Sequence, residues 1–438
     1  METFAYYCLL GSAFTVAFSL PVGRALLAIC LIFIAVHLIR ERRLPVITVT
    51  TWIGLLFIAV AIVATVFGPN PSVGVPKLRK LIWFIGIPVS ATLVSSHRRL
   101  SGILRAYGIG TGVLSVCTCV MNPIHALSAV RSGEAVNFMS AFISEGSMTN
   151  GQRLMLGIVI CLGFLFTNWK EKRRSFSWWI LLVLQCAALL LTFKRGSWIC
   201  TCILVSVFVA GRTNWKYLML VLVVIFTAVA LPPVRARLGA LREEFRIAGG
   251  GRFTMWFKIA PALIKKYPWG VGYRSLTNEM MREIAPEVER NRNHLHSNIA
   301  QVLVETGWFG LFVYLAWMTK AVVDAVRFVR CGLSTKPFRQ APAFATEAPP
   351  EAMPRREATA GKQDRLGTSG SGAEQTNAMV LLLMLIGLLA NGLVEYNFAD
   401  AELVIVYAFI MGCVGAGLCR LSATRPESPT LGVETVSN

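Results

Sequence analysis

Twelve apolar runs, most of them near the roughly 20 residues a helix needs to cross the ~30 Å hydrocarbon layer, leave this chain little choice of fold. They lie near residues 4–20, 23–39, 45–67, 80–96, 102–121, 153–168, 176–193, 197–211, 215–231, 299–322, 377–395 and 402–419. Of the 438 residues, 55% are hydrophobic and 15% charged, where soluble domains carry about 25% charge. At a mean hydropathy of +0.59, so little charge cannot solvate globular surfaces. A soluble enzyme, a disordered chain and a coiled coil are excluded. The expected fold class is an all-α polytopic integral membrane protein with about 12 transmembrane helices.

An even number of spans puts both termini on one side. Alternate short loops carry Arg40, Arg42 and Arg43; Arg98 and Arg99; Lys170, Lys172, Arg173 and Arg174; and Arg212 and Lys216, with Arg420 and Arg425 on the tail. These basic residues mark the expected cytoplasmic side, and both termini with it. The opposite short loops hold fewer: Arg24, Lys77, Arg79, Lys80, Arg131, Arg153, Lys194 and Arg195. The net charge of +20 is therefore a topological signal, and nucleic acid is not an expected partner. No Lys or Arg precedes Arg24, so the N-terminus reads as a retained first span rather than a cleavable signal. All of the eleven cysteines except Cys331 lie within apolar runs, where Cys acts as a small hydrophobe. Their spacing gives no disulfide framework and no zinc site.

The chain divides into spans one to nine (1–231), a large external loop (232–298), span ten (299–323), a loop at 324–376, spans eleven and twelve (377–421) and a tail (422–438). The 324–376 segment is rich in Pro, Ala, Gly and Ser and reads as a disordered cytoplasmic loop. The 232–298 loop holds twelve Lys and Arg against six Glu, yet lies on the side where basic residues are disfavoured. Lys77, Arg79 and Lys80, and the pair Lys194 and Arg195, gather on that same face. Charges at a membrane edge default to a functional reading, snorkelling being the alternative. Convergence of three basic clusters points to an anionic ligand such as a phosphate ester, which Arg grips in bidentate fashion.

Four stretches carry candidate chemistry. In LTFKRGSW (191–198), Gly196 and Ser197 open a helix beside Lys194 and Arg195, an anion site in miniature or an ordinary tight turn. RFTMWFKIAPALIKK (252–266) places Phe253, Trp256, Phe257, Ala260, Leu263 and Ile264 on one face of an interfacial amphipathic helix, divided by Pro261. The following YPWGVGY turn either exposes N–H groups to phosphate or simply reverses the chain, and Arg274 comes next. In RNRNHLHSNIAQVLVETGWFG (290–310), His294 and His296 precede a helix that Asn298 and Gln301 enter. Histidine titrates near neutrality, which suits a base for a sugar hydroxyl; a metal lacks a clear third ligand, and capping of the helix is the plain alternative. EYNFADAE (395–402) supplies carboxylates that orient a basic group, bind hydroxyls or pair with Arg.

Together, KRGSW, the R-x-x-x-W of Arg252 and Trp256, YPWGVGY and HLHSNIAQVLVETGWFGL resemble the O-antigen ligase and polymerase superfamily over roughly residues 190–320. The resemblance implies a GT-C-like glycosyltransferase with a large periplasmic loop between spans nine and ten, in a bacterial inner membrane. It implies an undecaprenyl diphosphate-linked glycan donor and a lipid A-core acceptor, with no metal and no cofactor. By the same resemblance, His296, Arg195 and His294 are the expected catalytic residues. Arg274, Arg252, Lys77, Lys80, Lys194 and Asn298 are the expected substrate-binding residues. Ser297 departs from the family pattern, in which Asn commonly follows the histidine directly, and Lys194 stands where a small polar residue is frequent.

Three other functions compete. An O-antigen polymerase or a protein O-oligosaccharyltransferase uses the same donor with another acceptor. A transporter or flippase of an anionic lipid predicts internal repeats and mid-span charge, and no clear repeat is visible. A structural assembly subunit is the remaining class.

Overall fold

The computed structural model describes residues 1–131, 147–167, 172–212, 215–230, 232–239, 251–288, 293–334, 360–398 and 400–423. Among them there is no strand. Each apolar run is helical: α1 (Glu2–Thr15), α2 (Leu20–Glu41), α3 (Val49–Val66), α4 (Gly86–Leu93), α5 (His97–Arg131), α6 (Ser147–Thr167), α7 (Lys172–Leu191), α8 (Arg195–Arg212), α9 (Trp215–Ala230), α10 (Asn298–Ser334), α11 (Ala360–Gly392) and α12 (Ala401–Ala423).

Eight of these are long and apolar enough to cross a membrane: α2, α3, α5, α6, α8, α10, α11 and α12. The other four apolar runs, those of α1, α4, α7 and α9, are helical but shorter among the described residues. α1 has 14 residues, and the apolar stretches in α7 and α9 are shorter than a span. The fourth run departs most. Val75–Ile85 forms a 3₁₀ helix and only then does the eight-residue α4 begin, so no continuous helix covers 80–96. Pro76 and Pro88 each lack the N–H that an unbroken ladder requires.

Charged contacts sort the helix ends into two faces. At one, Glu2 pairs with Arg99 and with His37 at 3.6 Å, and Arg420 pairs with Glu374 at 3.0 Å. The beginning of α1 and the end of α12 thus share a face. At the other, Arg153 of α6 reaches Glu402 at 3.1 Å, and Lys77 reaches the Arg274 carbonyl at 2.8 Å. The large loop folds onto this second face around its own small core, which includes Met255, Ile259, Leu263, Val271, Met281 and Leu295. Of the segment read as a disordered loop, 335–359 lies outside the described residues; α10 runs on to Ser334 and α11 starts at Ala360. Residues 424–438 of the tail are also outside them.

The bundle's centre is aromatic. Phe398, in the turn between α11 and α12, sits against Phe57, Phe84, Tyr314, Trp317 and Tyr407 with ring centroids 5.0–5.8 Å apart. Burying such a ring removes 150–250 Å² of largely apolar surface, about 4 kcal/mol at ~25 cal/mol per Å². It fixes a turn that would otherwise be a surface loop.

Candidate functional site

The 393–400 turn is the hub of the second face. Asn298, the first residue of α10, holds it with one amide: Nδ2 donates to Asn397 Oδ1 at 2.7 Å, and Oδ1 accepts from the N–H groups of Asn397 and Phe398 at 3.0 and 3.1 Å. Asn397 in turn donates to Gln152 Oε1 and the Leu388 carbonyl, both at 2.9 Å. Asn298 is an expected substrate-binding residue, and its amide fastens the turn. Ser297, the departure from the family pattern, starts α10: its carbonyl accepts from Gln301 N–H at 2.9 Å, and its hydroxyl lies 3.5 Å from the Ala300 nitrogen.

The turn presents Glu395 to two of the expected site residues. Arg252 donates to Glu395 Oε1 and to the Val394 carbonyl, both at 2.6 Å, while His296 Nδ1 lies 3.4 Å from Glu395 Oε2. Burial would raise the Glu395 carboxyl, but the hydrogen bonds and charges of His296 and Arg252 hold it below the usual carboxylate range. With Glu395 as a carboxylate, the N–H of the neutral imidazole belongs on Nδ1 and the lone pair on Nε2. His296 is 4% exposed and sits at φ 51°, a left-handed conformation that needs outside support. The supports are close: Gln301 Oε1 accepts from Leu295 N–H at 2.7 Å, and Trp256 Nε1 donates to the Leu295 carbonyl at 2.7 Å. The helix that starts at Arg252 therefore holds both sides of the His296–Glu395 contact, which gives the R-x-x-x-W spacing a physical meaning.

That helix differs from its expected form. Thr254–Ile259 is a π-helical turn, with Ala260 N–H bonded to the Met255 carbonyl, followed by α-helix from Ala260 to Lys266. The wider turn shifts the register before Pro261. Met255, Ile259 and Leu263 are buried against the loop core, whereas Phe257 is 68% exposed.

The glycine loop docks onto a break in α10. Gly307 has φ 69° and ψ −174°, which interrupts the helix. Val271 N–H donates to the Val304 carbonyl at 2.8 Å, and Gly272 N–H to the Glu305 carbonyl at 2.9 Å. These N–H groups are engaged within the protein, so of the two readings of YPWGVGY the chain reversal stands. A Cβ at Gly270 would collide with the Glu305 carbonyl, and one at Gly307 with the Pro268 carbonyl.

Docking delivers Arg274, at φ 53°, to the second basic group. Its carbonyl accepts from Lys77 Nζ, and its guanidinium interacts with Tyr396, Tyr273, Asp400 and Glu305, which outweigh burial and raise its pKa. Lys80 is pushed down to about 8 by burial and then by Arg274, partly offset by Asp400 and Glu402. Tyr396 links the groups: its hydroxyl donates to Glu305 Oε2 at 3.0 Å, and its ring lies 6.3 Å from His294. His294 packs edge-on to His296 at 4.3 Å. Among the described residues, no three His, Cys, Asp or Glu side chains converge as metal ligands.

Arg195 is buried at the start of α8, where Gly196 lies beside the other flank of the turn: a Cβ there would stand 3.2 Å from Asn391 and 3.6 Å from Val394. Lys194 faces Gly151 of α6. The structure thus gathers Arg252 and His296 at Glu395 with His294 against His296, sets Arg274 near Tyr396 with Lys77 and Lys80 near Arg274, and brings the Lys194–Arg195 helix start against 391–394. Sequence reasoning missed Tyr273 and Tyr396. Their one signal is that each adjoins a charged residue, Arg274 and Glu395, in a face-lining turn.

Residues 180–315 match the family model described as O-antigen ligase. The matched segment contains Lys194, Arg195, Arg252, Arg274, His294, His296 and Asn298, and leaves out Lys77, Lys80 and the 393–400 turn. No curated protein matches the chain.

Proposed function

The chain carries the O-antigen ligase family segment, and on that premise we propose that it transfers a glycan from undecaprenyl diphosphate to a sugar hydroxyl of lipid A-core. The observation that carries this reading is His296, backed by the Glu395 carboxylate, on the same face as Arg274 and Lys77, to which it is linked through His294 and Tyr396. His296 Nε2 takes the proton from the acceptor hydroxyl as its oxygen attacks the anomeric carbon. The bond from that carbon to the diphosphate oxygen breaks, and undecaprenyl diphosphate leaves with the electron pair. Arg274 and Lys80, assisted by Lys77 and Arg195, neutralise the charge that develops there. Glu395 stabilises the imidazolium formed, while Arg252 keeps that carboxylate in place. The leaving group is already good, so these residues supply the proton transfer and charge stabilisation without a metal or cofactor. The reaction belongs to the periplasmic face of the inner membrane, where lipid-linked glycan and lipid A-core meet, with both chain termini in the cytoplasm.

Deletion of the gene, with lipopolysaccharide and carrier-linked glycan resolved side by side on gels, tests the reading. Long polymer held on the carrier over bare lipid A-core is the expected result, reversed by the wild-type gene and not by Arg195→Ala or His296→Ala. Core bearing a single repeat would assign the chain as the polymerase instead. Unchanged gels would remove both.

A further inference from the structure

Glu305 is a buried carboxylate to which the transfer chemistry assigns no part. It stands two residues before the Gly307 break in α10, under the docked glycine loop, whose Gly272 N–H donates to its main-chain carbonyl at 2.9 Å. Its side chain accepts from Gln301 Nε2 at 2.7 Å, from the Tyr396 hydroxyl at 3.0 Å and from the Arg274 N–H. Three donors around one carboxyl group suit the ionised form, which is an acceptor only. Its counter-charges are the Arg274 guanidinium and the Lys77 ammonium, both of which it attracts. A carboxylate taken out of water persists as an ion only where such cations and hydrogen bonds surround it.

These contacts join the two halves of the site. Gln301 passes the hold of Glu305 to Leu295, whose N–H donates to Gln301 Oε1 at 2.7 Å, and so to the residue before His296. Tyr396 passes it to the neighbour of Glu395, the carboxylate that faces His296. The Arg274 N–H passes it to the cation. One side chain thereby sets the spacing between the imidazole and the guanidinium. Asp400 also interacts with Arg274, but its hydrogen bond goes to Thr149 of α6. Positioning alone does not call for a charge at 305, since a glutamine amide would bridge Gln301 and Tyr396. A fixed anion beside Arg274 and Lys77 also lowers their affinity for any anionic ligand.

That effect falls unequally on donor and product. A glycosyl diphosphate lipid is esterified at both ends of its diphosphate. The lipid diphosphate left after transfer is free at one end and ionises once more near neutrality, so cations alone would hold the product more tightly than the donor. We propose that Glu305 is a positioning residue that also serves as the fixed counter-anion of this site, weakening the hold of Arg274 and Lys77 on the more highly charged product so that it leaves. The inference rests on the donor reading above and adds the residue that governs product release.

The test measures transfer by the full chain in nanodiscs, with a polyprenyl diphosphate-linked glycan as donor and free polyprenyl diphosphate as product inhibitor. Glu305→Gln keeps the shape: its carbonyl accepts from Gln301 and its amide donates to the Tyr396 oxygen. The inhibition constant of the product is expected to fall about tenfold, as one unit charge near two cations is removed, and donor KM by about threefold or less. The kcat should drop as release slows. An inhibition constant that is unchanged or higher, or a KM that falls as far as it does, overturns the proposal. Glu305→Asp keeps the charge but is one methylene too short to reach Gln301 and Tyr396 together. Its kcat is expected to fall with product inhibition within about twofold of wild type; tightening like that of Glu305→Gln would assign the effect to shape and sink the idea. The wild type gives a measurement independent of how either variant folds. Its direct binding of polyprenyl diphosphate should be no tighter than that of the glycosylated donor despite the added charge, and a product bound about tenfold more tightly overturns the proposal. If the wild type transfers from no polyprenyl diphosphate donor, the donor reading itself has failed and the role of Glu305 falls with it.

Discussion

Arg252 and His296 hold opposite oxygens of one carboxylate: Arg252 Nη2 lies 2.6 Å from Glu395 Oε1, and His296 Nδ1 lies 3.4 Å from Glu395 Oε2. The two residues come from the beginning and the end of the same loop and meet on a turn nearly a hundred residues further along. The carboxylate settles the tautomer of the imidazole, and the guanidinium settles the position of the carboxylate.

Glu395→Gln keeps the shape and removes the charge. Transfer is expected to fall about 10²-fold, a magnitude ordinary for a group supporting acid–base catalysis, with donor KM nearly unchanged. Steady-state kinetics in nanodiscs decide it; a loss confined to KM would place Glu395 in donor binding instead. Because the folded-state pKa of Glu395 is depressed, its contribution to stability is present above the unfolded value of ~4.3. That contribution is lost as pH falls through the lower folded value. Thermal melts of wild type and Glu395→Gln should therefore differ most near neutrality and converge in acid.

Lys80, pushed down to about 8, acts in the alkaline range instead. As pH rises through 8 it loses its charge, so affinity for polyprenyl diphosphate should decline between pH 7 and 9. The folded-state pKa lies below the unfolded ~10.4, so the unfolded chain binds more protons in this window and the stability contributed by Lys80 rises with pH. Titrations of donor binding at several pH values check this, and Lys80→Arg should abolish the decline.

Gly307→Ala tests the docking of the glycine loop. The observed φ 69°, ψ −174° is a region open essentially to glycine alone, and the new Cβ would strike the Pro268 carbonyl. A loss of about 2–4 kcal/mol is expected from strain and the collision. Proteolysis should then appear first within 251–288. A variant as protease-resistant as wild type would show that the loop does not depend on the break.

Asn298→Ala removes three hydrogen bonds that fasten the turn. At ~1 kcal/mol net each, it should cost about 3 kcal/mol and lower transfer with both substrates at saturation. Asn298→Asp, which keeps the acceptor and loses the donor, should fall between the two. Unchanged kcat in Asn298→Ala would separate the turn from the chemistry.

The helices were legible because lipid solvation writes itself into composition: a segment facing hydrocarbon must be apolar over its length, whatever its neighbours. His296 and the basic residues drew attention because histidine is scarce in this chain and basic residues are unexpected on the face where these gather. What could not be read depends on distant pairs. The part Asn298 plays in fastening the turn was hidden because its partners, Asn397 and Phe398, are about a hundred residues away. The π turn at Thr254–Ile259, ahead of Pro261, leaves no mark in a residue pattern read with a regular helical period. The apolar run that begins at Lys80 starts inside the 3₁₀ stretch Val75–Ile85, and only the tertiary structure shows the change from 3₁₀ to α-helix at Gly86.

Phe398 ties the reacting turn to the middle of the bundle through rings of α3, α10 and α12. Bilayer thickness acts on that same place. A membrane thicker or thinner than the helices prefer is accommodated by tilt, and any tilt of α10 against α3 shifts the rings on which Phe398 rests. Glu395, three residues away, moves with them. The lipid around this protein is thus mechanically coupled to the Glu395 carboxylate and to the His296 imidazole that faces it.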